Sequence, residues 1–144
     1  MLVDMLKEFV IPGLRKVIKI AKEANVPFIK HCDGDLCPIM DLLVNEGIDC
    51  VNPIEPAAGM DIGEVKKKYG KRVSLWGNIY CSTLLTFKKP DDVIKATIDC
   101  SKKASYDGGH ILSSSNTIHS AVPLENFLAM VNTAREYGKY PLNL

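Results

Sequence analysis

Apolar and polar positions along the chain fall into two alternating rhythms. Short runs rich in apolar and β-branched residues, VPFIKH (26–31), IDCVNPI (48–54), RVSLWGNI (72–79) and HILSSSN (110–116), have the length and composition of buried strands. After each comes a longer stretch whose apolar residues recur at the spacing of a helix with one buried face. The first is CPIMDLLVNEG, ended by Gly47; the second is DIGEVKKKYG, with Asp61 as N-cap and Gly70 as stop. The third is KPDDVIKATIDCSKKA, with Pro90 in its first turn and Val93, Ile94, Thr97 and Ile98 on a stripe. The fourth, PLENFLAMVNTAREYG, is opened by Pro123 and closed by Gly138. An amphipathic helix over 1–24 precedes the first strand, and its Pro12-Gly13 pair predicts a kink or a break. Strand and helix alternating in this order favour right-handed crossovers and a parallel sheet covered by helices. The expectation is an α/β fold in one domain over 1–144, with βα units starting near 26, 48, 72 and 109.

Every strand turns polar at its C-terminal end, in HCDGD (31–35), NPIEP (52–56), GNIYCS (77–82) and SSSNTIH (113–119). In a parallel sheet these ends share one rim, where the sites of α/β folds are built. Side chains two apart on a strand share a face, which pairs His31 with Asp33 and Ser114 with Asn116. Each cluster also has a purely structural reading. Asp33-Gly34 is good turn chemistry, and Ser113 to Ser115 can satisfy backbone groups. Four rims polarised alike point to a pocket.

Composition narrows the class. With 144 residues, 47% hydrophobic and 24% charged, the chain has the balance of a soluble globular domain. Its net charge of +1 gives no electrostatic draw to nucleic acid or membrane. No apolar run approaches the roughly 18 residues of a membrane span, and no secretory signal opens the chain. Lys66-Lys67-Lys68, near a helix end, reads as a solvated face favoured by the helix dipole. Five cysteines (32, 37, 50, 81 and 100) contain no CxxC pair and read as reduced thiols of a cytoplasmic protein.

NPIEPAAGMDI, YGKRVSLWGNI, GGHILSSSNTIHSAVPLENFLAM and REYGKYPL together resemble the C-terminal half of the uroporphyrinogen decarboxylase superfamily. The similarity runs from the KEFVIPGLRKV helix to the final PL, with the motifs in the family's order. It implies half of a (β/α)₈ TIM barrel, the four βα units standing for strands five to eight. A whole barrel takes about 250 residues. The family's N-terminal half, which in the decarboxylases supplies substrate-binding arginines and the catalytic aspartate, has no counterpart in this sequence. A half barrel would expose its interior and two strand edges, VPFIKH and HILSSSN. The expected partner is a second copy, giving a homodimer, or a separate N-terminal half-barrel.

The superfamily contains haem-pathway decarboxylases and corrinoid- and coenzyme M-linked methyltransferases, many of the latter with a catalytic zinc. There the resemblance implies a His-x-Cys pair after strand five and a cysteine near strand eight. This chain has His31-Cys32-Asp33 at the first position. Aligned through Pro123-Leu124-Glu125-Asn126, it has Asn116 at the second. Two soft sulfur ligands have thus become oxygen or amide groups, which puts thiol-activating zinc chemistry in doubt. His31, Asp33 and Glu55 remain candidate ligands for a harder zinc site. Porphyrinogen decarboxylation needs arginines in the cleft, yet Arg15, Arg72 and Arg135 all lie away from the predicted strand ends.

The expectation is therefore a decarboxylase-like protein taking part in corrinoid-linked methyl transfer to or from a small substrate, with any corrinoid carried on a separate protein. His31 and Glu55 would be catalytic. Asp33, Asn78, Ser114 and Asn116 would bind substrate, with His119 at the mouth. The alternatives are a fragment of a porphyrin-pathway decarboxylase, or a non-catalytic half-barrel subunit or remnant.

Overall fold

In the computed structural model, which describes residues 2–142, the two rhythms resolve into one parallel sheet and its connecting helices. The strands are β1 (Ile29–His31), β2 (Cys50–Asn52), β3 (Ser74–Ile79) and β4 (His110–Ser114). They lie side by side in sequence order, every neighbouring pair parallel. Helices α3 (Met40–Glu46), α4 (Ile62–Tyr69), α5 (Pro90–Ala104) and α6 (Leu124–Tyr137) follow the strands in turn. Four consecutive parallel βα units make half of a (β/α)₈ barrel.

The chain opens with a single α-turn, α1 (Leu2–Met5), passes through π-helical turns over Leu6–Val10, and continues as α2 (Ile11–Glu23). Pro12 has no N–H to give back to the preceding turn, so the expected break takes the form of a widened helix immediately before it. The predicted helix ends hold: Gly70 and Gly138 follow α4 and α6, Pro90 opens α5 and Pro123 immediately precedes α6. Asp61 accepts a hydrogen bond from Glu64 N at 3.0 Å to start α4, and Gly47, at φ 87°, ends α3 in the left-handed region. No helix among the described residues is long and apolar enough to cross a membrane.

One face of the sheet is covered by the helices and carries the core, in which Met40, Val51, Leu75 and Val93 are completely buried. Each such side chain contributes about 1.5–3 kcal/mol by leaving water. The other face, the concave inside of the half barrel, is bare. Ile29 and Ile111 on it are 43% and 47% exposed, and β1 and β4 each leave one edge unpaired.

One expectation fails on α4. Lys66 is not solvated: it is 3% exposed, donates to Gly108 O at 2.6 Å and pairs with Asp107 Oδ1 at 2.6 Å. Only Lys67 and Lys68 of the run face water.

Candidate functional site

The strand register sets the first layer of the rim. His31 lies beside Asn52 across the β1–β2 ladder, and both face the bare side of the sheet with Trp76 of β3 and Ser113 of β4. Together with Ser114, Ser115, Asn116 and Thr117 they line a cleft of about 270 Å³. His31 Nδ1 is 2.6 Å from Asn52 Oδ1, and Asn52 Nδ2 donates to Trp76 O at 3.1 Å. A hydrogen-bonded row thus runs from β1 to β3 across the floor of the cleft.

The serine cluster divides between two tasks. Ser115 is buried and accepts from Cys81 N at 3.2 Å, tying the end of β4 to the π-helical turns over Cys81–Leu85 that follow β3. Ser113 donates to Ser114 O at 2.9 Å, and Asn116 Oδ1 accepts from Thr117 N at 2.8 Å. These bonds hold the wall in place while Ser113, Ser114 and Asn116 still line the cleft.

Beside this wall stands an acid–base group. His31 Nε2 is 3.6 Å from Asp33 Oδ2 in the loop after β1. Glu55, after β2, has its carboxyl pushed above the ordinary value. Partial burial is the largest cause, followed by the negative charge of Asp33 and a hydrogen bond with it; the Ala57 N–H and His31 oppose the rise. The side chains of His31 and Asp33 are 61% and 53% exposed, so the cluster is open to solvent.

Two sequence expectations are corrected by the geometry. Asn78 does not reach the cleft. Its Nδ2 donates to Ile54 O at 2.9 Å and its Oδ1 lies 3.6 Å from Cys100 Sγ of α5, on the helix-covered side. The strand's two-residue alternation is interrupted at Gly77, whose φ is 151° and where any Cβ would run into the Pro53 carbonyl. His119 is exposed in the connection before α6, where its Nδ1 accepts from Ala121 N at 3.3 Å, and it does not line the cleft.

Asn52 and Trp76 are site residues that sequence reasoning passed over. Asn52 carried a signal, because it ends the apolar run of its strand as His31 ends that of β1. Trp76 carried none beyond its place one residue before a glycine.

The residues do not fit the zinc that the resemblance implies. Among the described residues no three His, Cys, Asp or Glu side chains are grouped to hold a metal ion. His31, Asp33 and Glu55 are neighbours, but Glu55 shares a hydrogen bond with Asp33, and Cys32 donates its thiol proton to Asp33 O at 3.5 Å. All five cysteines are free, and burial pushes the Cys50 and Cys100 thiols up to about 11, which keeps them inert.

Residues 2–137 match the sequence profile of the uroporphyrinogen decarboxylase family. The chain belongs to that family. Family members similar to it include a uroporphyrinogen decarboxylase from Coxiella burnetii, 28% identical over 99 residues, which are 69% of this chain and 26% of that protein. Another is the methylated-thiol–coenzyme M methyltransferase of Methanosarcina mazei, 26% identical over 130 residues, or 90% of this chain and 32% of that one. The chain thus spans about a quarter to a third of the curated relatives' length. A solved structure, a methyltransferase from Methanosarcina mazei, superimposes with a TM-score of 0.78 at 22% identity, covering 96% of this chain and 39% of that one. At that identity the likeness speaks for the fold.

Proposed function

We propose that this chain supplies the C-terminal wall of a methyl-transferring pocket, with a small methylated compound as substrate. The observation that carries the reading is the chemistry of the cleft: neutral hydrogen-bonding groups, an indole face, one histidine and an adjoining carboxyl pair. None of the three arginines lines it. Arg15 is bound to Glu46 and Arg72 to Asn45, while Arg135 sits in the last turn of α6. A multiply carboxylated porphyrinogen calls for cations in its cleft, and this wall of the pocket supplies none; a small neutral methyl compound needs none. Further support is the similarity to a methylated-thiol methyltransferase over 90% of the chain.

Taking a methyl group from a heteroatom requires a proton for the atom left behind, and the acceptor must lose one if it carries it. Glu55 would give the first, a role supported by a carboxyl that holds its proton more strongly than an ordinary glutamate. In the opposite direction, from a methylated corrinoid to a substrate X–H, His31 receives the X–H proton at Nε2, with Asp33 as countercharge 3.6 Å away. Ser113, Ser114 and Asn116 orient the polar end of the substrate, and the Trp76 ring packs against its methyl. A corrinoid, carried on a separate protein, would supply the metal centre that exchanges the methyl group with the substrate. A second copy or a separate N-terminal half-barrel completes the pocket by covering the bare face of the sheet.

The test is transfer of an isotopically labelled methyl group from methylated thiols, methylamines or methanol to a free corrinoid, catalysed by the completed particle. Label transfer is expected, falling by roughly 10²-fold or more in His31→Ala and Glu55→Ala. Absence of transfer from every donor, or undiminished transfer in both variants, would overturn the reading.

A further inference from the structure

We infer that Asn52 is a positioning residue that holds the His31 ring as its Nδ1–H tautomer, so that Nε2 is the basic nitrogen presented at the rim. The inference rests on the reading of His31 as the proton acceptor above, but its logic is independent of any substrate. A backbone carbonyl can only accept hydrogen bonds. The end of the Asn52 amide that lies 3.1 Å from Trp76 O is therefore its NH₂ group, and the opposite end is the carbonyl oxygen. That oxygen is likewise an acceptor without a proton. The ring nitrogen 2.6 Å from it must then carry the hydrogen, and this nitrogen is Nδ1.

The consequence is directional. A neutral imidazole has one proton, and with it committed to Asn52 the lone pair is on Nε2. Asp33 Oδ2, at 3.6 Å, is too distant for a direct hydrogen bond and leaves that lone pair open to a proton donor. When a substrate X–H gives its proton to Nε2, the X–H bond breaks, its electron pair stays on X, and the ring becomes an imidazolium with both nitrogens protonated. Asn52 Oδ1 faces one N–H and Asp33 the other, so the new positive charge forms between two negative ends without either group moving. An imidazole free in water favours the opposite tautomer, with its proton on Nε2. The Trp76 carbonyl, through Asn52, reverses that preference. The backbone of β3 thus sets the chemistry of a side chain on β1.

Nitrogen-15 NMR of the imidazole side chains, recorded on the whole chain at alkaline pH, tests this directly. In the wild-type protein His31 is expected to show a protonated Nδ1 and an unprotonated Nε2. Asn52→Leu, which keeps the volume and removes the acceptor, should move both nitrogens towards averaged shifts or invert them. Asn52→Asp, which keeps an acceptor oxygen, should retain the wild-type pattern. A wild-type spectrum with the proton on Nε2 overturns the inference, and so does an Asn52→Leu spectrum identical to wild type. Should Asn52→Leu fail to fold, the wild-type and Asn52→Asp spectra still decide the tautomer. Failure here leaves methyl transfer untouched, while absent methyl transfer with the expected spectrum would defeat the functional reading alone.

Discussion

His110, the third histidine, faces the helices rather than the cleft. Its Nε2–H donates to Gly77 O at 2.7 Å, and its Nδ1 lies 2.7 Å from the Ser105 hydroxyl. Burial, only partly offset by the Gly77 carbonyl, lowers its proton affinity below the ordinary 6.5, and the nearby Lys66 charge adds to the lowering. In the unfolded chain the ring protonates near 6.5; in the folded protein it does so only at lower pH. Between the two values the unfolded state binds more protons, so stability must fall as pH drops through that window and stay level above it. Urea midpoints measured from pH 8 down to pH 5 should show this loss, and His110→Gln should flatten it. Gly77 beside it makes a second prediction. Alanine there would combine an unfavourable φ of 151° with a Cβ pressed into the Pro53 carbonyl, at a cost of about 2 kcal/mol or more in urea unfolding. The same glycine explains why Asn78, chosen for its place in a polar strand end, turns towards Ile54 O and Cys100 instead of the cleft. Asn52 was legible in principle, because equal-length strands in parallel register bring their last residues side by side.

Helix α4 carries the clearest lesson at the scale of elements. Its buried stripe is Ile62, Val65, Lys66 and Tyr69, and Lys66 occupies an i+4 position that the pattern reserves for an apolar side chain. Charge alone placed it in solvent; periodicity would have placed it inside. Its ammonium is held by Asp107, by Gly108 O and over the Tyr106 ring at 5.4 Å, so the loop before β4 is fastened to α4 through one side chain. Removing Asp107 leaves a buried cation with only a carbonyl and a ring. Asp107→Ala should therefore cost about 2–3 kcal/mol in urea unfolding, discounted for the half-exposed aspartate. Lys67→Ala and Lys68→Ala, which break exposed pairs, should each stay within about 0.5 kcal/mol. Element order, helix extents and the residues that start and stop the helices were all readable, since each rests on local periodicity and capping chemistry. The strands were read too long, because their observed ends depend on which neighbours pair. Only β3 keeps as many as six residues in the ladder.

For the whole molecule the governing fact is a sheet covered on one side only. A parallel sheet normally has both faces buried, and a barrel does so by closing on itself until no edge remains. Here Ile29 and Ile111 face outward on the concave side, one on each edge strand, with unpaired backbone groups alongside. Pairing β4 of one body with β1 of the next would satisfy the ladder groups, bury both isoleucines and turn the open cleft into an enclosed one. Enclosure also matters to the chemistry, because the charges around His31 and Glu55 interact strongly only when water is excluded. Association and activity should therefore fail together. Light scattering at micromolar concentration is expected to give at least twice the mass of one chain, or a complex with a separate N-terminal half. Ile111→Lys, which puts a charge on the seam without touching the helix-side core, should shift the particle towards the single chain. Amide exchange adds a local readout: the outer edges of β1 and β4 should be protected in the associated form and exposed in Ile111→Lys. A sharply monomeric wild-type chain whose edge amides exchange freely, yet which transfers methyl groups, would contradict the link between closure and catalysis.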